Sequence, residues 1–457
     1  MKDNILTKLF INFSIVIFSI ITVIFMIKNY FLLSLLTFLI VLFISKKENI
    51  KHFPIILFIT SILIRLVVIL LGKFPQGADF WLMMNAAQRI NLNDFSWSNT
   101  LYFQTWAYQT GFVLYEALLF KLFKTEFALK VVNIILSSLT VLFIYNTSKK
   151  ITNEKTARVV SLLYMLLPIE LILNVVLNNH IVSALITYIG IIFLIKKDKT
   201  IKDYIISSIL ISIGNILRPE GIIVVFSLIV FEILYLKKDK VLDIGKKLFI
   251  FLFIYLMIGS ISSFVIQKTN INSQGLSNNN PTWKFVLGFN HDTCGYYSGD
   301  DEKYIEELDK EKEIVKERIF SNPSDTAKLF VCKIDHFWLL SDSNTKSETF
   351  KEQSYSFFGK EISYEQIEEV ALKYNSQIYL LTLLMCFIGI IFNNKKLKED
   401  NTIFFLIMII TTFFVYLLIE IRPRYTYFIH ISIFILSSYG YDYILNKIKG
   451  VRHDKKS

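Results

Sequence analysis

Twelve apolar runs dominate this chain, at roughly 8–27, 30–45, 53–71, 128–147, 158–174, 178–195, 203–217, 220–236, 246–266, 377–392, 401–419 and 427–445. Most are about 16–20 residues long, the length an α-helix needs to cross hydrocarbon. In lipid every backbone N–H and C=O must bond within the chain, so such runs fold as helices. The expected class is therefore all-α, a polytopic membrane protein of about 12 transmembrane helices. Residues 1–8 followed by an apolar run also suit a signal peptide. The long run, with no small-residue cleavage site and a second run directly behind it, reads instead as a retained span.

Lysine sets the threading. Lys46-Lys47, Lys149-Lys150, Lys196-Lys197, Lys237-Lys238, Lys395-Lys396 and the tail from Lys447 all fall on one face when both termini are cytoplasmic. The net charge of +11 thus belongs to short loops at a membrane and gives no nucleic-acid footprint. The threading predicts four regions: an added pair of spans at 1–50, a membrane core at 51–266, an external helical segment at 267–376, and C-terminal spans with a basic tail at 377–457. Within the core, 72–127 becomes a long external loop. Its apolar stretch 108–123 is expected to lie at the surface as an amphipathic or re-entrant helix, with Glu116 and Lys121 facing polar ground. Counting it as a span would put the Lys149–Arg158 loop outside. In the external segment, Leu329, Phe330, Ile334, Phe337 and Trp338 share one apolar helical face. Cys294 and Cys332 lie in the same segment; they can pair in an oxidising space or stay as two thiols. Three cysteines supply no metal framework.

Two short arginine motifs end apolar runs on the external face: Leu217-Arg218-Pro219-Glu220-Gly221 and Glu420-Ile421-Arg422-Pro423-Arg424-Tyr425. Arginine presents a permanently charged planar fork suited to phosphate. Asp79 follows the third run on that face, and Asn179 and His180 open the sixth. Each has a blander reading. Asp79 beside Trp81 suits a solvated loop, and Arg-Pro at a helix end suits a snorkelling anchor with a helix breaker. His180 suits a satisfied structural histidine. Arg65, deep in the third run, must pair or reach water, either in the same cavity or against a neighbouring helix.

Taken in order, these motifs resemble GT-C superfamily glycosyltransferases of the family 39 type, which includes protein mannosyltransferases and lipid A aminoarabinose transferases. The likeness rests on Asp79 followed by Trp81, Met84, Asn85 and Ala86-Ala87, on the surface helix Gly111–Phe123, and on the late Glu420–Tyr425 motif. It covers roughly residues 53–445. It implies transfer of one sugar from a polyprenyl-phosphate carrier to a glycan, lipid or protein acceptor at the outer face of the plasma membrane, with inversion. Asp79 would be the catalytic base. Arg422, Arg424, Tyr425 and Arg218 would bind the donor phosphate, with Glu220, Asn179, His180 and Arg65 behind them. Phe80 stands where many relatives carry Glu, and Asn178-Asn179-His180 where many carry an acidic residue. The resemblance therefore implies no firm cofactor: a divalent metal is left open, and arginine alone can hold the phosphate. The alternatives are a glycan polymerase or ligase, working through His291, Asp335 and His336 of the late loop, and a non-enzymatic lipid-linked sugar flippase. The Lys-, Ile- and Asn-rich composition is one associated with bacteria of AT-rich genome.

Overall fold

The computed structural model describes residues 10–17, 50–71, 76–235, 241–305, 307–338, 354–357 and 360–454, with Leu39, Val41 and Phe43. Most of the two runs expected at 8–27 and 30–45 lies outside these residues.

Every apolar run after residue 50 is helical. In order, the main helices are α1 (Phe53–Leu71), α2 (Ala78–Ile90), α3 (Thr110–Phe123), α4 (Glu126–Ile151), α5 (Glu154–Met165), α6 (Pro168–Ile172), α7 (Asn179–Leu194) and α8 (Ile201–Leu217). They continue as α9 (Gly221–Leu234), α10 (Val241–Lys268), α11 (Trp283–Gly288), α12 (Leu308–Phe320), α13 (Pro323–Lys333), α14 (Tyr364–Phe392), α15 (Ile403–Leu418) and α16 (Tyr427–Asp454). Among the described residues, five helices are long and apolar enough to cross a membrane: α1, α4, α10, α14 and α16. The segment made of α5 and the helix from Pro168 to Val175, bent by 57°, makes a sixth if it is one span; α7, α9 and α15 are apolar but shorter. The bend falls at Pro168, which has no amide to donate to the preceding turn.

Local sequence explains where the helices start. Asn178 caps α7 by accepting from the amides of His180 and Ile181. Thr200 and Asp203 form a capping box at α8. The core is centred on α16, whose Ile429, Ile431, Ile433 and Phe434 are fully buried, whereas α10 leaves Phe249, Phe253, Leu256 and Ile261 exposed, as a lipid-facing helix would. α14 and α16 meet at glycines. A Cβ on Gly440 would lie 1.9 Å from the Met385 carbonyl oxygen, and one on Gly389 would lie 2.9 Å from the Gly440 nitrogen. Small residues let helix backbones approach this closely in a membrane. Gly440→Ala must push the two helices apart, so it should destabilise the protein by about 1–3 kcal/mol. Thermal unfolding in detergent checks this, with Gly245→Ala, where a Cβ meets open space, as the neutral control.

The described residues of the loop 72–127 fold as α2, a short helix Leu101–Thr105 and α3, closed around Met83, Ala87, Trp97, Phe112 and Val113. Gly111 lets the start of α3 rest on the end of α8, since a Cβ there would lie 2.1 Å from the Ile216 carbonyl. One expectation fails: Glu116 is 2% exposed, and neither carboxylate oxygen has a hydrogen-bond partner among the described residues. It shares the inward face of α3 with Phe112 and Phe120, one turn to either side, and burial pushes its carboxyl well up. Lys121 is exposed as expected.

The described residues of the segment 267–376 hold α11, α12 and α13, with an antiparallel hairpin, β1 (Ser354–Phe357) and β2 (Lys360–Ser363), that the helical reading missed. Its apolar face docks on the membrane core. Phe337 stacks on Tyr416 at 4.5 Å and Trp338 packs on Phe413 at 5.6 Å. Cys294 and Cys332 form a disulfide.

Candidate active site

Several helix ends converge on one cavity of about 1370 Å³. Asp79 and Phe80 come from the first turn of α2, Asn179 and His180 from the start of α7, and Arg218 and Glu220 from the turn between α8 and α9. Glu420, Arg422, Arg424 and Tyr425 come from the turn between α15 and α16, and Lys284 comes from α11. Both arginine turns owe their shape to proline. Arg218 and Arg422 are extended, with ψ of 129° and 135°, the conformation forced on a residue preceding proline. Ala78, at φ 46°, turns the chain into α2 just before Asp79.

Most charges in the cavity neutralise one another. Arg218 Nε donates to Glu220 Oε1 at 2.6 Å and its Nη1 to Asn179 Oδ1 at 3.2 Å. Asn179 in turn donates to Gln109 Oε1 at 3.2 Å. Arg422 Nε donates to Glu420 Oε1 at 3.0 Å, and Lys284 pairs with the other Glu420 oxygen. Burial alone would raise the Glu420 carboxyl; Lys284 and then Arg422 outweigh it and hold the group below the ordinary carboxylate range. Burial keeps the Glu220 carboxyl raised in spite of Arg218.

Arg424 is held more loosely. Its ion pair with Asp79 spans 3.7 Å, and its buried Nε has no hydrogen-bond partner among the described residues. Its guanidinium lies over the rings of Phe80, at 5.1 Å, and Tyr425, at 5.4 Å. Tyr425 is an aromatic platform as well as a wall residue. Arg218 lies 5.0 Å from its ring centre, His180 stacks on it at 5.9 Å, and its hydroxyl reaches Glu420 at 3.5 Å. His180 is 1% exposed, and neither ring nitrogen has a partner among the described residues. A satisfied structural histidine would have one.

Arg65 stands apart from this group and does not line the cavity. It donates to Ser137 Oγ at 2.7 Å and Ser61 Oγ at 2.6 Å, inside the α1–α4 contact. Placement behind the phosphate site is thus corrected: a serine on each helix holds Nε and Nη1, while the buried Nη2 has no partner among the described residues. Glu232 likewise pairs with Lys199 at 2.6 Å. The sequence reading also passed over Glu170, which meets His430 Nδ1 at 2.6 Å inside the bundle, just beyond the Pro168 bend. His291, Asp335 and His336 do not line the cavity. Sequence reasoning missed Lys284 and Tyr297, which the segment 267–376 lends to the wall. The one signal for Lys284 was its place just after Pro281-Thr282-Trp283.

Residues 112–262 match the family model described as dolichyl-phosphate-mannose-protein mannosyltransferase. Asn179, His180, Arg218 and Glu220 lie inside that stretch; Asp79, Lys284 and the Arg422–Tyr425 motif lie outside it. No curated protein matches the chain. Two solved structures from Archaeoglobus fulgidus match along 89% of this chain and 52% of theirs: an oligosaccharyltransferase in the apo form, and the oligosaccharyltransferase AglB in complex with an inhibitory peptide and a dolichol-phosphate. Their identities are 12% and 13%, each with a TM-score of 0.49, and this chain spans about half their length. The matched stretch agrees with the resemblance read from the motifs: the chain is similar to GT-C membrane glycosyltransferases of the protein mannosyltransferase type.

Proposed function

We propose that the protein transfers one sugar from a polyprenyl-phosphate carrier to an acceptor hydroxyl at the outer face of the membrane. The observation that carries this reading is Arg424, a cavity arginine whose buried Nε has no partner among the described residues and whose carboxylate pair is loose. A phosphate oxygen supplies the missing partner in a charge-assisted hydrogen bond. The Cys294–Cys332 disulfide supports the outward orientation, because such bonds persist in oxidising compartments. The opposite placement of the lysine-rich loops supports it too.

The chemistry then follows from the cavity. Asp79, half exposed at the rim, accepts the proton of the acceptor hydroxyl. The hydroxyl oxygen attacks the anomeric carbon, and the bond from that carbon to the phosphate oxygen breaks. The polyprenyl phosphate leaves with the electron pair, and Arg424 stabilises the new charge with Arg422 and Arg218 alongside. One displacement inverts the anomeric centre. Arg424 leans toward Asp79 in the structure; a bound phosphate draws it away and leaves the carboxylate free to act as base. A divalent ion would have Asp79, Glu302 and Glu307 as carboxylates in the cavity wall not committed to a buried cation, and none of them comes from the arginine turns.

The test uses the purified full chain in proteoliposomes with synthetic polyprenyl-phosphate and polyprenyl-diphosphate sugars. Consumption of a monophosphate donor, with release of polyprenyl phosphate, is the expected result. Consumption of diphosphate donors alone would replace this reading with the polymerase or ligase.

A further inference from the structure

The external segment is joined to the arginine turn at a site outside the cavity wall. Lys333, the last residue of α13, is 1% exposed. Its ammonium donates to the carbonyl oxygens of Leu417 at 2.9 Å, Ile419 at 2.8 Å and Tyr416 at 3.4 Å. These are acceptors at the C-terminal end of α15, where helix carbonyls lack intrahelical partners and a cation is favoured. Lys333 follows Cys332, which is bonded to Cys294. Gly295 follows Cys294, and its carbonyl oxygen accepts from the Ile421 amide at 2.9 Å. Gly295 has φ 76°, and a Cβ there would lie 2.2 Å from Lys333 Cε, so glycine fits both the turn and the lysine. Two segments 38 residues apart in sequence are thus tied by one crosslink and grip residues 416–421 from both sides. Arg422 is the next residue, and Arg424 follows within about 10 Å of extended chain.

We propose that the Cys294–Cys332 disulfide and Lys333 form one positioning clasp for the Glu420–Arg424 turn, so that donor binding depends on the crosslink being oxidised. The proposal rests on the reading of Arg422 and Arg424 as donor-phosphate groups. Lys333 is a positioning residue: it touches backbone, not substrate. Reduction by a dithiol supplies two electrons and two protons, opens the S–S bond to two thiols and oxidises the reductant to its own disulfide. The Gly295 and Lys333 segments then move independently. The sulfurs and His336 approach within 4.8 Å of one another, but both sulfurs are committed to the disulfide, so the cluster serves as a crosslink and not as a ligand set.

Two measurements on the full chain in nanodiscs decide the matter. Amide hydrogen exchange across residues 416–426 reads the clasp without reference to sugar transfer. It should accelerate at least tenfold after dithiothreitol treatment of folded protein, in a Cys294→Ser/Cys332→Ser double variant, and in Lys333→Met with the disulfide intact. The donor KM should rise at least tenfold in the same three states while the acceptor KM stays unchanged, and reoxidation of the dithiol-treated protein should restore both values. Complete reduction, verified by thiol labelling, with unchanged exchange and unchanged donor KM would overturn the clasp. A general loss of packing would raise both KM values together and would equally overturn it. If the oxidised wild type consumes no lipid-linked donor, the functional reading falls, and exchange alone decides the clasp.

Discussion

Arg424→Ala should lower donor turnover by about 10²–10³-fold, the usual consequence of removing one donor that stabilises charge on a leaving oxygen. The expectation is specific to this arginine. Arg218 and Arg422 each spend a nitrogen on a carboxylate of their own turn, Glu220 and Glu420. Removing either also frees a buried carboxylate, so loss of activity would mix catalysis with electrostatic damage. Among the described residues Arg424 has one ion pair, the 3.7 Å contact with a half-exposed Asp79, so its removal strands no buried charge there. The variant should therefore insert and melt like the wild type. Arg424→Lys keeps the charge but loses the planar fork and its stacking on Phe80 and Tyr425, so it should fall between the two. Steady-state transfer from a synthetic polyprenyl-phosphate sugar checks the series. Turnover near wild type in Arg424→Ala would remove this residue from the donor site, and with it the main support for a phosphate there.

The legible part of this protein was its periodicity and its end signals. Apolar length located the membrane helices after residue 50, and the Arg-Pro motifs marked the turns before α9 and α16, because these features act within a few residues of chain; the break at Pro168 inside the run 158–174 was not read. The same local logic brought Asp79, Asn179, His180, Arg218 and the Arg422–Tyr425 turn to one face, and the structure gathers them around one cavity. What stayed hidden depends on contacts between distant segments. Lys284 reaches Glu420 across 136 residues, and Glu170 reaches His430 across 260; no spacing rule links such pairs. Arg65 misled for the opposite reason. A charge within a span demands a partner, but sequence cannot say whether that partner is a cavity or the two serines that in fact hold it. Glu116 was turned outward on the assumption that a carboxylate seeks water, whereas the packing of α3 on α2 and α8 fixed the helix face and carried the charge inward with it.

Asp79→Asn is the sharper test of mechanism. The amide keeps the size and hydrogen-bonding reach of the carboxylate but cannot take the acceptor's proton. Turnover should fall about 10²–10⁴-fold, the range for losing a positioned base. Donor binding should persist or tighten, because the neutral amide no longer competes with phosphate for Arg424. That pairing of lost turnover with retained donor affinity separates a missing base from a damaged site, which would lose both. His180 is the rival base: it is buried, its two nitrogens have no partner among the described residues, and it lies in the same cavity. Its position on the Tyr425 ring, with Arg218 over the same ring, argues for a neutral imidazole donating to the phosphate, not for a proton acceptor at the rim. His180→Ala should then weaken donor binding with a smaller loss of turnover at saturating donor. The reverse pattern, with Asp79→Asn active and His180→Ala dead at saturating donor, would move the base from the α2 turn to α7.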